Sequence, residues 1–374
     1  MKKYDFDCIV VGAGPAGSTT AYELKNRGMK VLLIDRVFFP RYKPCAGGLT
    51  RKAIKLLNDV PLDDVIDCKI KKVAFTLDLK LGFEFSYSRP LIYTVSREKF
   101  DDVLLEKALN AGVVVSYDQY PVAVESAFDS VTLKTNKASY KTMFLVGADG
   151  GYSKIAQLAK FTKRPLRLVA VEDEIEVPSD VYEKFKDKVR IDLKTSFRGY
   201  RWVFPKRNYL SVGLGGTLKT LSNTLDKEIS SYIEELGISK YKKSERNYVY
   251  PIGGVRTEYA RGRIFLVGDA AEIADPMTGE GIYYAIYSGK LLALFLSKKH
   301  DEPLALAYNE LMTERFFKRQ KWGKYAGYLF YTYLKHFYHR LNNEHGKYAF
   351  ERLISDPDFS YKKIFGLHAL KWIK

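Results

Sequence analysis

Three glycines and an acid are spaced as phosphate and ribose chemistry would require. Gly12-Ala13-Gly14-Pro15-Ala16-Gly17 follows the apolar run from Asp7 to Val11. It precedes a helical pattern over Ser18 to Arg27 and a second β-rich run, Lys30 to Ile34, that ends at Asp35 and Arg36. Strand, glycine turn, helix, strand and acid are the parts of a dinucleotide-binding unit. Gly12 permits the tight turn, Gly14 lets the backbone approach a pyrophosphate, and Gly17 lets helix and strand pack closely. Ala16 keeps the helix start small. The helix N-terminus then offers free N–H groups and a positive dipole end to phosphates. Asp35 stands where a carboxylate would bind ribose hydroxyls.

Three further stretches extend this chemistry. Arg97 heads a helical pattern, where its guanidinium could pair with a phosphate through two parallel hydrogen bonds. Gly147-Ala148-Asp149-Gly150 ends an apolar strand and puts its acid near the carboxyl edge of the sheet, where open α/β sheets bind ligands. Gly268-Asp269 likewise ends a strand, and Asp269 could accept hydrogen bonds from a ribityl chain. Pro276, Gly279, Gly281 and Ile282 follow and open a helix whose N-terminus would face a flavin ring system. Elsewhere, Tyr200, Trp202 and Phe204 alternate and so share one face of a strand that ends at Pro205. They would form an apolar wall for an apolar chain, or else sheet core. Cys45 lies in the glycine loop Pro44-Cys45-Ala46-Gly47-Gly48, where a thiol could relay a proton, shield a flavin or fill space.

The elements that must position these residues follow from periodicity. Helices are expected over Arg51–Leu57, Glu98–Asn110, Thr224–Leu236 and Gly279–Leu296. Strands are expected over Ile70–Leu79, Gly82–Ser86, Val113–Val115, Val122–Ser126, Val131–Lys134, Thr142–Val146 and Ile264–Val267. The reading is an α/β chain: a Rossmann-type domain assembled from 1–69, 96–165 and 263–300, an inserted antiparallel-sheet domain from 70–95 and 166–262, and a helical region over 301–374. The tail after Phe316 mixes Trp322, Tyr325, Tyr328, Phe330, Tyr333, Phe337 and Trp372 with Lys318, Lys321, Lys324, Lys335, Arg340, Lys371 and Lys374. Leu329, Tyr333 and Phe337 recur at four-residue spacing, one helix face. Such helices lie on an anionic membrane or cap the substrate domain.

The formal charge of +17 suits an acidic partner, or simply the Lys-rich composition of a thermophile with only three glutamines. No apolar run approaches the roughly 18 residues of a membrane span. The chain starts directly into a strand, with no room for a signal peptide, so a cytoplasmic protein is expected, possibly peripheral on the membrane inner face. Cys8, Cys45 and Cys68 have neither metal nor disulfide spacing, and no metal is expected. Cys8 reads as core.

The glycine set, Arg97, the Gly147–Gly150 run and Gly268-Asp269 resemble the aromatic-hydroxylase-like FAD flavoproteins, related to glutathione reductase. The resemblance implies FAD, with Asp35 on the adenosine ribose, Arg97 near the pyrophosphate and Asp269 on the ribityl chain or pyrophosphate. The Pro-Cys-x-Gly loop at Cys45 is similar to that of the geranylgeranyl reductases of archaeal type, and there it lies against the flavin. Tyr200-Arg201-Trp202-Val203-Phe204-Pro205, followed by Gly213-Leu214-Gly215, is similar to their second signature. That family hydrogenates C=C bonds of isoprenoid chains on membrane lipids or diphosphates. Reduced FAD gives a hydride to one alkene carbon, and Tyr200, Cys45 or an ordered water gives the other a proton. No second glycine motif serves a nicotinamide, so NAD(P)H docks transiently or a ferredoxin-type protein donates electrons. The alternative is an FAD-dependent monooxygenase or halogenase, whose Trp-x-Trp-x-Ile-Pro run the aromatic strand loosely resembles. The FAD motifs argue against nucleic-acid binding by the basic surface, and the oligomeric state is left open.

Overall fold

The computed structural model describes residues 4–162, 168–217, 221, 224–243, 247–252, 256–300, 302–359 and 361. The chain divides into two compact units. The first comprises Met1–Arg41, Glu98–Pro165 and Ile252–Lys321, and the second Tyr42–Arg97, Leu166–Pro251 and Trp322–Lys374.

The first unit is built on the strand Phe6–Val11, whose last four residues are buried. It pairs in parallel with Val31–Ile34 on one side and Ser139–Gly147 on the other, with Val10 opposite both Leu33 and Val146. Val114–Ser116 and Ile264–Leu266 extend the parallel sheet at its two flanks. Strands buried on both faces read as continuous apolar runs rather than as alternation, which accounts for the sequences CIVV and VLLI. All these strands run the same way, so Gly12, Asp35, Ala148 and Val267 all leave the sheet at its carboxyl edge. That is where a doubly wound sheet binds its ligand. Cys8 is fully buried, as expected of core, and burial pushes its thiol far above the ordinary range.

The second unit holds a seven-stranded sheet, in the order Asn247–Ile252, Leu168–Glu176, Tyr209–Thr217, Gly199–Pro205, Lys188–Leu193, Lys72–Leu77, Leu81–Ser86. Among the pairings whose register is described, one departs from the antiparallel pattern: Lys72–Leu77 runs parallel to Lys188–Leu193. These two strands lie more than a hundred residues apart, so no hairpin ties their directions together. A smaller sheet joins Gly48–Thr50, Ile92–Val95 and Ile66–Ile70. Ile70 therefore ends a strand of this small sheet instead of starting the next one.

The core of this unit lies on one face of the large sheet. Val169, Val171, Ile175, Val203, Leu210, Val212 and Leu214 pack there with Ile229, Tyr232 and Ile233. The last three come from the helix Leu225–Glu235, where they recur at helical spacing. Arg201 is on this same face and is fully buried. It pairs with Asp192 at 2.5 Å and Glu235 at 3.1 Å, and its guanidinium lies 4.3 Å from the Tyr232 ring centroid. Asp192 also accepts from Thr76 Oγ1 at 2.5 Å and Leu79 N–H at 2.8 Å. Removing one partner of such a pair leaves a buried charge uncompensated. Asp192→Ala is accordingly expected to lower unfolding free energy by about 3–5 kcal/mol, read by denaturant titration. A loss under about 1 kcal/mol would mean that solvent already screens the pair.

Candidate functional site: a glycine-rich nucleotide loop and an aromatic sheet face

In the first unit the glycine loop divides by what each residue meets. Gly12 has φ +102°, and an added Cβ would come within 2.4 Å of the Ala148 carbonyl oxygen. A Cβ on Gly17 would come within 1.7 Å of the Gly12 oxygen. Both glycines are required by the protein itself. Gly14 differs: its nearest neighbour would be an Arg41 nitrogen at 3.7 Å, ordinary contact. A glycine with room for a side chain, at the head of a helix with no side-chain cap, fits a ligand that must touch the backbone. The pyrophosphate of FAD meets that description. Ala16 is buried in the first turn.

Asp35 closes this loop. Its Oδ2 accepts from Ala13 N–H at 2.7 Å and its Oδ1 from Val37 N–H at 3.1 Å. It is buried, whereas the neighbouring Arg36 is exposed. Both oxygens of Asp149 also serve the loop around them. Ser153 Oγ donates to Oδ1 at 2.5 Å, and the N–H groups of Lys154 and Ile155 donate to Oδ2 at 2.6 and 3.1 Å. Burial pushes this carboxyl up, opposed by those same bonds. Asp269 is exposed in the 3-10 turn Gly268–Ala271, and a Cβ on Gly281 would lie 3.5 Å from its Oδ1. The two ends of the fourth motif therefore meet. The following helix begins at Ile282 rather than Gly279. Asp275 is the reason: its Oδ1 accepts from Met277 and Thr278 N–H, each at 3.0 Å, and holds the half-buried Pro276 to Gly281 as a turn.

Sequence reasoning missed Arg41. Its Nη2 pairs with the fully buried Asp101 at 3.1 Å and is the atom nearest an added Cβ on Gly14, its guanidinium lies 4.6 Å from the Phe39 ring centroid, and its Nη1 is buried without a hydrogen-bond partner. The available signal was Asp101, a carboxylate on the apolar face of Arg97–Asn110, which needs a cation. Arg41→Lys keeps the charge for Asp101 but loses the planar fork. It is expected to fold normally and bind FAD about tenfold more weakly, a change of ~1.4 kcal/mol, by flavin fluorescence titration. Unchanged affinity would assign Arg41 to Asp101 alone.

In the second unit lie Cys45, Ala46, Gly48 and Arg97, together with the aromatic strand. Tyr200, Trp202 and Phe204 point away from the core face that holds Arg201 and Val203. The facing strand explains the glycines of the signature. Trp202 is opposite Gly213 and Tyr200 is opposite Gly215. A Cβ on Gly213 would meet the indole at 2.3 Å, and one on Gly215 would approach it at 3.6 Å. The ring thus lies flat over bare backbone, with Nε1 buried and unpartnered. Tyr200 packs against it at 5.9 Å between centroids. A Cβ on Gly48 would meet the Phe204 ring at 2.7 Å, which sets the cysteine loop against the end of the wall at the buried Pro205. Cys45 is half-buried, and its Sγ accepts from Gly47 N–H at 3.4 Å. Arg97 opens its helix and is half-buried.

The C-terminal helices depart from the expected single stripe. The helix Lys318–Thr332 ends and Leu334–Leu341 begins at Tyr333, whose φ of −112° and ψ of 35° are not helical. Leu329 and Tyr333 are exposed while Phe337 is half-buried, so the four-residue spacing does not make one face. Tyr338 instead caps the sheet, donating from its hydroxyl to the Phe75 and Leu81 carbonyls at 3.1 and 2.8 Å. Trp322, Tyr325, Tyr328 and Tyr333 remain exposed. Lys371, Trp372 and Lys374 fall outside the described residues. Among the described residues no helix is long and apolar enough to cross a membrane.

The family model described as FAD binding domain matches residues 5–314. The geranylgeranyl diphosphate reductase of Rhodobacter capsulatus is 31% identical over 83% of this chain and 80% of its own. The digeranylgeranylglycerophospholipid reductase 1 of Methanopyrus kandleri is 28% identical over 77% and 79%. The solved structure of a geranylgeranyl bacteriochlorophyll reductase-like protein from Thermoplasma acidophilum superposes with a TM-score of 0.80, covering 99% of this chain and 97% of that one at 23% identity, a likeness of fold. With a nucleotide loop that fits FAD and these relatives, the chain belongs to the geranylgeranyl reductase family of FAD-binding oxidoreductases.

Proposed function

We propose that this protein is a flavin-dependent reductase that saturates C=C bonds of isoprenoid chains carried on membrane lipids or isoprenoid diphosphates. The observation that carries the reading is the aromatic sheet face. Tyr200, Trp202 and Phe204 turn away from the core of their own unit; Tyr200 and Trp202 stand opposite Gly215 and Gly213, which lets the indole lie close to bare backbone, and Phe204 stands opposite Ser211 and against Gly48. A flexible polyene can lie along such a wall, which buries apolar surface and excludes water. FAD, when bound and reduced, supplies the hydride. The chain's own residues orient the alkene against the wall, and Cys45 or Tyr200 protonates the second carbon. Arg41, Asp35, Asp269 and the N–H groups of the glycine loop hold the cofactor.

The test is mass spectrometry of products after anaerobic incubation of the reduced holoenzyme with geranylgeranyl diphosphate or an unsaturated archaeal-type phospholipid. Addition of two hydrogens per double bond is expected. Substrate consumed only when oxygen is admitted, with a hydroxylated or halogenated product, would replace this reading by the monooxygenase or halogenase one. The reductant is NAD(P)H or a ferredoxin-type protein, and flavin bleaching by one and not the other identifies it. A lipid substrate also requires access to a membrane surface. Exposed Trp322, Tyr325 and Tyr333 beside Lys318, Lys321 and Lys324 suit attachment to anionic lipid. Flotation with anionic vesicles is expected to weaken as salt rises and to fall in a variant with those lysines changed to Gln. Equal flotation of both proteins would remove the tail from this role.

A further inference from the structure

The aromatic face also carries charges that an apolar wall has no need of. Glu172 is opposite Gly213, which is opposite Trp202, so acid and indole share one face of the sheet. Glu172 is fully buried. Its Oε1 accepts from Ser211 Oγ at 2.9 Å, and its Oε2 has no hydrogen-bond partner. Lys206 directly follows Pro205, is 1% exposed, and donates from Nζ to the Val95 carbonyl at 2.5 Å. The same Nζ lies under the cysteine loop. An added Cβ on Gly47 would be 2.2 Å from it, and Gly47 has φ +64°, which a side chain would also strain. Two residues back is Cys45, its Sγ bonded to the Gly47 N–H. A buried acid on the aromatic face, a buried amine beneath the cysteine loop and a half-exposed thiol in that loop thus belong to one unit.

Burying charge this way is costly, and apolar residues would fill the space more stably. Such cost is retained mostly where a site uses it. Burial pushes Glu172 up to about 7, with Lys206, Ser211 and Arg97 opposing and Glu174 adding to the rise. Burial pulls Lys206 down, opposed by Glu172 and Cys45. Tyr42 and Tyr209 also interact with the acid and both are raised by burial, while Asp67 and Glu174 act on Lys206 as Glu172 does.

We infer that Glu172 and Lys206 form a buried proton reserve that recharges the Cys45 thiol. The inference rests on the reductase reading above. The hydride brings both electrons, from reduced flavin, and makes the first C–H bond. The π pair of the alkene takes the proton of the Cys45 S–H and makes the second. The thiolate left behind takes a proton from the Glu172–Lys206 pair, which solvent refills. Glu172 and Lys206 are positioning residues in this scheme, since they act through Cys45.

The test reads Cys45 without needing turnover. Purified holoenzyme is alkylated with iodoacetamide across pH, and the modified peptides are resolved by mass spectrometry so that Cys8 and Cys68 are separated. In the wild type the Cys45 rate should show an inflection near pH 7, where Glu172 ionises. Glu172→Gln should abolish it and alkylate several-fold faster above that pH, because a carboxylate no longer opposes the thiolate. Lys206→Met should be slower, because a cation that favours the thiolate is gone. Should Lys206→Met not fold, infrared spectra of the wild type and Glu172→Gln still decide. At about pH 6 the wild type should show a protonated-carboxyl carbonyl component that Glu172→Gln lacks. Unchanged Cys45 rates in both variants, or no such band, would overturn the reserve. Turnover then separates the two readings. With alkene reduction, Glu172→Gln should lose the limb near pH 7 in kcat and keep KM. Expected alkylation without any alkene reduction sinks the reductase reading and leaves the coupling of the three groups standing.

Discussion

Gly14→Val is expected to give a folded protein that purifies without FAD, whereas Gly17→Val is expected not to fold. The contrast lies in what a Cβ meets. At Gly17 it would lie 1.7 Å from a backbone oxygen of Gly12, an atom that cannot yield without opening the turn. At Gly14 the nearest protein atom is 3.7 Å away, so the apoprotein tolerates the side chain. The pyrophosphate is expected not to, because the proposed site brings it into close approach to that backbone. Loss of two or three charge-assisted hydrogen bonds, at about 1.5–3 kcal/mol each, weakens FAD by at least about a hundredfold. The ratio of flavin to protein absorbance and the circular dichroism spectrum measure the two halves. A fully flavinated Gly14→Val protein would show that this backbone does not contact the cofactor.

Trp202→Ala should keep FAD and lose alkene turnover by tenfold or more, on the order of the 1.4 kcal/mol such a factor represents. Trp202 is only 7% exposed, and the backbone it covers belongs to Gly213 and Gly215. Glycines cannot fill the space an indole leaves, so truncation should also cost about 3–5 kcal/mol of stability. The glycine loop, Asp35 and Arg41 belong to the other unit, so flavin content should not change. Stability loss with unchanged turnover would make the aromatic strand a packing feature only. The two measurements together distinguish a wall that binds substrate from one that merely holds the sheet.

The parts of this protein that sequence alone determined are those encoded by spacing within one element or one turn. Gly12, Gly14 and Gly17 lie at the positions a strand–turn–helix needs, and Asp35 ends the next strand, so the nucleotide loop was legible before any contact was known. Alternation likewise put Tyr200, Trp202 and Phe204 on a common face. Alternation is symmetric, however, and Arg201 with Val203 makes an equally good second face. Only packing broke that symmetry, because Ile229, Tyr232 and Ile233 of a later helix cover the Val203 side. The even spacing of Leu329, Tyr333 and Phe337 failed for the converse reason: the backbone turns at Tyr333, and Tyr338 anchors the next helix to the sheet. Arg41 with Asp101, and Arg201 with Glu235, are groups drawn from separate segments. Their charges are costly singly and tolerable together, and no local pattern records which ones the fold brings into reach.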